Sequence, residues 1–159
     1  MIVVADTSPI HYLWLIDQIE LLPTLYGQIM IPAAVQYELQ ASGAPDQLQL
    51  WIQTPPMWLT IETVKTEISP ALAKLDFGEQ AAITLAQEQQ ADFLIMDERL
   101  GRRAAIQAGL RTIGVIGILD AAASQKLIDI AAVVNRLQNT NFRISRALIK
   151  TLLSEHLSD

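Results

Sequence analysis

Four carboxylates in four separate stretches of the chain, Asp6, Glu38, Glu79 and Asp97, are the side chains best placed for chemistry. Asp6 closes the apolar run Ile2-Val3-Val4-Ala5, and Asp97 closes Phe93-Leu94-Ile95-Met96. Both runs read as buried strands. In a parallel α/β sheet the carboxyl ends of strands form the crevice where ligands bind, so two aspartates at such ends can face one point. Clustered carboxylates repel one another unless protons or a cation neutralise them. An all-oxygen set suits a hard divalent ion, Mg²⁺ or Mn²⁺. The chemistry such sites most often carry is phosphoester hydrolysis.

Each acid also has a structural alternative. Asp6 suits an Asx-type turn before the next helix, although Ser8 followed by Pro9 offers an N-cap of its own and frees Asp6 for the crevice. Asp97 suits the N-cap of a helix starting at Glu98. Glu38 falls in the last turn of a helix expected over 33–41, where the macrodipole disfavours an anion by ~0.3–1 kcal/mol. That position fits a ligand or a solvated glutamate equally. Asp76-x-x-Glu79 has the spacing of a capping box, and spacing alone favours that role for Glu79.

Other polar groups stand near these acids. The Thr7 and Ser8 hydroxyls could bind a metal-bound water or a phosphate oxygen, beside the free N–H groups of a helix start. His11 reads as a half-buried histidine or a general base, and His156 lies in a polar tail with no signal. Arg99, Arg102 and Arg103 share one helix face at i, i+3 and i+4. That face is either solvated or turned toward phosphate.

The elements that must position these residues alternate in type. Strands are expected at 2–5, 28–31, 59–64, 93–96 and 111–115. Helices are expected from Ser8 to about residue 16, over 20–26, from Pro32 to Ser42-Gly43, and over 46–54, 80–89 and 98–108. Three more follow, at 119–126, 130–138 and 145–157. This order predicts an α/β fold, a three-layer α/β/α sandwich with a parallel four- to five-stranded sheet. One domain over 1–159 is expected, with a helical C-terminal extension at about 118–157.

Composition bounds the function. The chain has 159 residues, 51% of them hydrophobic and 18% charged, which fits a packed domain and not a disordered one. With no cysteine, thiolate metal sites and disulfides are excluded, as suits a reducing cytoplasm. The N-terminus lacks the basic region of a signal peptide, and no apolar run reaches the ~18 residues of a membrane span. The net charge is −6, yet residues 1–64 contain no Lys or Arg, whereas nine basic and four acidic residues lie from Arg99 onward. Such asymmetry points to a polyanionic partner.

Four motifs in order carry a family resemblance: Val3-Val4-Ala5-Asp6-Thr7-Ser8-Pro9, Ile31-Pro32 leading to Tyr37-Glu38-Leu39, Phe77-Gly78-Glu79-Gln80-Ala81-Ala82-Ile83, and Leu94-Ile95-Met96-Asp97-Glu98-Arg99. Together they resemble the PIN domain, a metal-dependent ribonuclease fold, over about residues 1–145. The likeness is nearest to its VapC-like prokaryotic toxin branch, and 141–145 with the last helix also looks like that branch. The resemblance implies an acidic pocket of Asp6, Glu38, Glu79 and Asp97. It makes Asp6, Asp97 and Glu79 the ligands of Mg²⁺ or Mn²⁺, with Ser8 supporting them by a hydrogen bond. It further implies RNA as substrate, a small antitoxin protein and a homodimer as partners, and a cytoplasmic location. Relatives often carry a further acid shortly after the position of Asp97; here Leu100-Gly101-Arg102-Arg103 follows, with Glu98 the only nearby substitute. The alternative is therefore a PIN-like module that binds RNA or protein without cleaving. The Asp-Thr-Ser turn is also similar to haloacid-dehalogenase phosphatases, but those carry Asp-x-Asp, and Ser8 stands in place of the second acid.

Overall fold

The most apolar short runs of the chain form a single parallel sheet. In the computed structural model, which describes residues 1–41 and 43–157, these strands are β1 (Val3–Ala5), β2 (Ile29–Pro32), β3 (Leu59–Glu62), β4 (Phe93–Ile95) and β5 (Thr112–Ile113). Their order is β3-β2-β1-β4-β5, and every pairing is parallel. The five strands meet the expectation of a four- to five-stranded parallel sheet.

Side-chain alternation along the strands builds the two outer layers. Val3 and Ala5 point into one core with Ile29, Ile31, Leu59 and Ile95, whereas Val4 and Leu94 point into the other. The first core is closed by α1 (Thr7–Leu15), α2 (Leu21–Tyr26), α3 (Ala33–Leu39), α4 (Asp46–Gln53), α7 (Val115–Ser124), α8 (Ile130–Gln138) and α9 (Arg146–Leu157). The second is closed by α5 (Phe77–Glu88) and α6 (Arg99–Gln107). Fully burying each such Val, Leu or Ile favours folding by ~1.5–3 kcal/mol. The result is a three-layer α/β/α sandwich. The helices after residue 114 contribute Ile118, Leu119, Val133, Leu137 and Leu152 to the first core; α7 contacts β5, and α8 and α9 pack against α7.

Several boundaries differ from expectation for local reasons. The first helix starts at Thr7, with Asp6 at the N-cap position (φ −87°, ψ 172°), so Ser8 is not the cap. Pro9 then sits in the first turn, where the missing N–H costs nothing. The helix after Pro32 ends at Leu39; its expected end at Ser42-Gly43 involves Ser42, which lies outside the described residues. The expected strand at 111–115 shortens to Thr112–Ile113, because Val115 begins α7. A short 3₁₀ turn at Pro70–Leu72, capped by Ser69, was not anticipated.

Candidate metal centre

The sheet order sets the position of the pocket. From β1 the chain moves outward to β2 and β3 on one side, then returns to β4 on the other. Strands β1 and β4 therefore flank the point where the order reverses, the usual place for a ligand crevice. They pair with Ala5 opposite Ile95, and the Asp6 N–H continues the ladder to the Ile95 carbonyl at 2.9 Å. Asp6 and Asp97 thus leave adjacent strands at one edge. In a parallel sheet each crossover helix starts at that same carboxyl edge, which brings the first turn of α5, with Glu79, to the crevice. The third helix follows β2 and presents Glu38.

Asp6, Glu38 and Glu79 line one pocket of about 500 Å³ together with Thr7, Ser8, Lys74, Asp76, Glu98 and Leu100. Asp97 lies beside it, in an adjoining cleft of about 710 Å³ that shares Ser8 and Glu98 with the pocket. Glu98, whose orientation the sequence left open, faces both cavities.

The four acids are held in different ways. The Glu38 carboxylate accepts the Thr7 hydroxyl on Oε1 and the Gly78 N–H on Oε2 at 3.1 Å. Asp97 accepts the Val115 N–H, at 3.1 Å to Oδ1 and 3.3 Å to Oδ2. It therefore caps α7 and not the helix that follows it. Glu79 does form the capping box: Asp76 Oδ1 accepts the Glu79 N–H at 2.8 Å, and Glu79 Oε1 accepts the Asp76 N–H at 3.1 Å. Capping occupies only one of its oxygens. Among the described residues, Glu79 Oε2 and Asp6 Oδ1 are buried without a hydrogen-bond partner, on residues only 6% and 3% exposed.

Their electrostatics follow from this. Burial pushes the Asp6 carboxyl up to about 7, and the charges of Asp76, Glu38 and Asp97 add to it, against the Thr7 backbone N–H. Glu79 is likewise raised to about 7 by burial and by Asp76. Asp97 rises to about 6 through burial, opposed by the Val115 N–H and the Arg102 charge. Without a cation, the site is thus poised to hold protons near neutral pH.

The donor set fits a divalent cation. All ligand atoms are oxygen, and a cation would give the two orphaned oxygens the partner they lack. Among the described residues no three pocket acids place ligand atoms within 4.8 Å of one another. Mg²⁺ is usually bound by one or two carboxylates and keeps several waters, so such a site does not require three converging carboxylates.

Glycines make the room for these carboxylates. A Cβ on Gly78 would overlap the Glu38 carboxylate, one on Gly114 would overlap Asp97 Oδ1, and one on Gly101 would lie 2.9 Å from Glu79 Oε2. Reading from acids alone passed over all three. Their only signal was position, each lying within four residues of a pocket acid or directly before a helix start.

The remaining candidates are placed as follows. The exposed Ser8 hydroxyl makes no hydrogen bond among the described residues, so its expected supporting bond is replaced by that of Thr7 to Glu38. Arg99, Arg102 and Arg103 share a hollow of about 410 Å³ with Asp97. Arg102 and Arg143 both line the larger cleft, with Tyr12 and Phe142 packed edge to face at 5.0 Å. His11 is half-buried, stacks on Tyr12, and lies outside the pocket lining. His156 does carry structure: its Nε2 bonds Asp120 Oδ1 at 2.7 Å and ties α9 to α7. Glu155 joins them in the one trio of potential ligand atoms lying within 4.8 Å among the described residues.

The five-stranded parallel sheet between two helical layers, with an acidic pocket at its strand switch, defines the class as a three-layer α/β/α domain with its crevice at the switch point. A family model described as DUF3368, PIN domain, matches residues 2–158. The chain belongs to the PIN-domain family. PIN domains are generally nucleases and typically use divalent metals. A solved PilT N-terminus domain protein from the hyperthermophilic archaeon Sulfolobus solfataricus P2 is similar in fold, with a TM-score of 0.54 at 16% identity. The match covers 91% of this chain and 100% of that one. No curated protein matches the sequence. Among the described residues no helix is long and apolar enough to cross a membrane.

Proposed function

We propose that this protein is a Mg²⁺- or Mn²⁺-dependent endoribonuclease and the toxin of a toxin–antitoxin pair. The observation that carries the nuclease reading is the pair of buried, unpartnered carboxylate oxygens, Asp6 Oδ1 and Glu79 Oε2, in one pocket. Asp6 and Glu79 would hold the cation directly, with Asp97 and Glu38 reaching it through waters. When bound, the cation lowers the pKa of a water and stabilises charge on the phosphate. Asp6 and Glu79, raised toward neutrality, would be held as carboxylates with a cation bound. Thr7, Gly78 and Val115 keep Glu38 and Asp97 fixed, so the pocket needs little rearrangement when phosphate arrives.

The RNA path follows from charge. The N-terminal 64 residues contain no Lys or Arg. Arg102 and Arg143 line the cleft beside Asp97, and the Tyr12 and Phe142 rings offer a surface for a base. The toxin assignment, with a small antitoxin and a homodimer as partners, rests on the likeness of the motifs to the VapC-like branch.

The test is cleavage of a single-stranded RNA by purified protein with Mn²⁺, with EDTA, and with Asp6→Asn. Cleavage that needs Mn²⁺ and vanishes in the variant supports the nuclease. RNA binding without cleavage in any condition would make the protein a binding module instead. Growth arrest on expression, lost with Asp6→Asn, tests the toxin role.

A further inference from the structure

Asp76 is an acid of this pocket that the four-carboxylate pattern leaves out. It is the N-cap of α5, and its Oδ1 accepts the Glu79 N–H. No N–H or hydroxyl among the described residues donates to its Oδ2, its carboxyl also interacts directly with that of Glu79, and the exposed side chain lines the pocket with Asp6, Glu38 and Glu79. The Glu79 side chain bonds back to the Asp76 N–H, so Asp76 is fixed to the residue whose Oε2 is orphaned.

Capping alone does not require an acid here. Asn or Ser would accept the same N–H about equally well. A negative charge at this position adds repulsion to a pocket already crowded with carboxylates. Among the charged neighbours of Asp6, Asp76 weighs more than Glu38 or Asp97. That repulsion turns into attraction once a cation is bound.

On the Asp97 side, the exposed Glu98 lines the pocket at its rim. After Asp97 the helix offers Gly101, where a Cβ would lie 2.6 Å from Met96 Sδ and 2.9 Å from Glu79 Oε2. A side chain there would have to push aside the ends of Met96 and Glu79, and Arg102 and Arg103 follow it.

We propose that Asp76 is a fifth carboxylate of the cation site, capping α5 with one oxygen and serving the hydrated cation with the other. The proposal rests on reading the pocket as a divalent-cation site.

Calorimetric titration of Mn²⁺ into wild type, Asp76→Asn, Glu98→Gln and Asp6→Asn tests it, with the metal-free melting temperature of each. Asp76→Asn keeps the cap, so its metal-free melting temperature should match or exceed that of wild type. Its Mn²⁺ affinity should fall on the order of 10-fold or more, as when an outer partner of a metal is removed. Glu98→Gln removes an equal charge from the pocket rim and should weaken Mn²⁺ far less. Equal losses in these two variants would reduce Asp76 to one more negative charge and overturn the proposal. Unchanged affinity in Asp76→Asn with weakened affinity in Asp6→Asn would overturn it too, while leaving the cation site standing. Failure of the wild type to bind Mn²⁺ would overturn the site and the proposal together. Should Asp76→Asn not fold, Asp76→Ser, whose hydroxyl also caps, takes its place.

Discussion

The Gly78 N–H donates to Glu38 Oε2 at 3.1 Å, and the space left by the absent Gly78 side chain is filled by that same carboxylate. One glycine thereby both holds Glu38 and makes room for it. Gly78→Ala puts a methyl against the far end of a flexible side chain, so Glu38 moves and the backbone need not. The new alanine also gains helix propensity, up to ~1 kcal/mol. The melting temperature should stay near that of wild type, while Mn²⁺-dependent cleavage falls. A parallel thermal melt and cleavage assay checks this; undiminished cleavage would show that Glu38 is idle.

Glu79→Gln separates the two roles of that side chain. Glutamine still serves a capping box, so the start of α5 should survive with little change in melting temperature. The carboxylate that offers its free oxygen to the pocket is gone, so the expected loss in cleavage is at least ~100-fold, about 2.7 kcal/mol. Single-turnover kinetics at saturating Mn²⁺ measures it. Asp6→Asn and Asp97→Asn should show losses of the same order in a folded protein.

The metal-free protein should lose stability as pH rises. Asp6 and Glu79 are raised to about 7 and Asp97 to about 6, each above its unfolded value near 4. Between those limits the folded state binds more protons than the unfolded state. Unfolding free energy therefore falls as pH climbs from about 4 to about 7, by up to ~1.4 kcal/mol per pH unit for each fully buried group. Melting in EDTA across that range should show the decline, and Asp6→Asn should flatten it. Added Mn²⁺ should restore wild-type stability most strongly at pH 7 and above, where protons no longer compete. A metal-free melting temperature that rises steadily over this range would contradict the assignment.

Replacing Arg102 and Arg103 with Gln should weaken RNA binding and leave Mn²⁺ affinity nearly unchanged. Each lost phosphate contact should reduce the slope of log affinity against log salt by ~0.7 for a single strand. Arg143→Gln, in the cleft that Arg102 also lines, should act in the same way. A salt series by fluorescence anisotropy reads the slope; no change in the double variant would leave Arg102 and Arg103 as a solvated face.

Local pattern decided the layers of this protein. Short apolar runs such as 2–5 and 93–96 are too brief for helices and are bounded by Asp6 and Asp97, so strand ends and their acids could be read directly from the chain. Alternation with helical stretches then required a parallel sheet covered on both faces. The Asp76-x-x-Glu79 spacing likewise specified a capping box, because cap bonds join residues three apart. What local pattern could not supply was any contact across elements. Whether Asp97 caps its own helix or a later one depends on where Val115 lies, 18 residues away. Whether Thr7 or Ser8 supports an acid depends on the direction from which α3 brings Glu38. The close approach of Gly78, Gly101 and Gly114 to three carboxylates, and the two oxygens left without partners, arise only when β1 and β4 are laid side by side. Sequence spacing encodes bonds along one element, whereas burial and mutual repulsion of the acids depend on packing between elements.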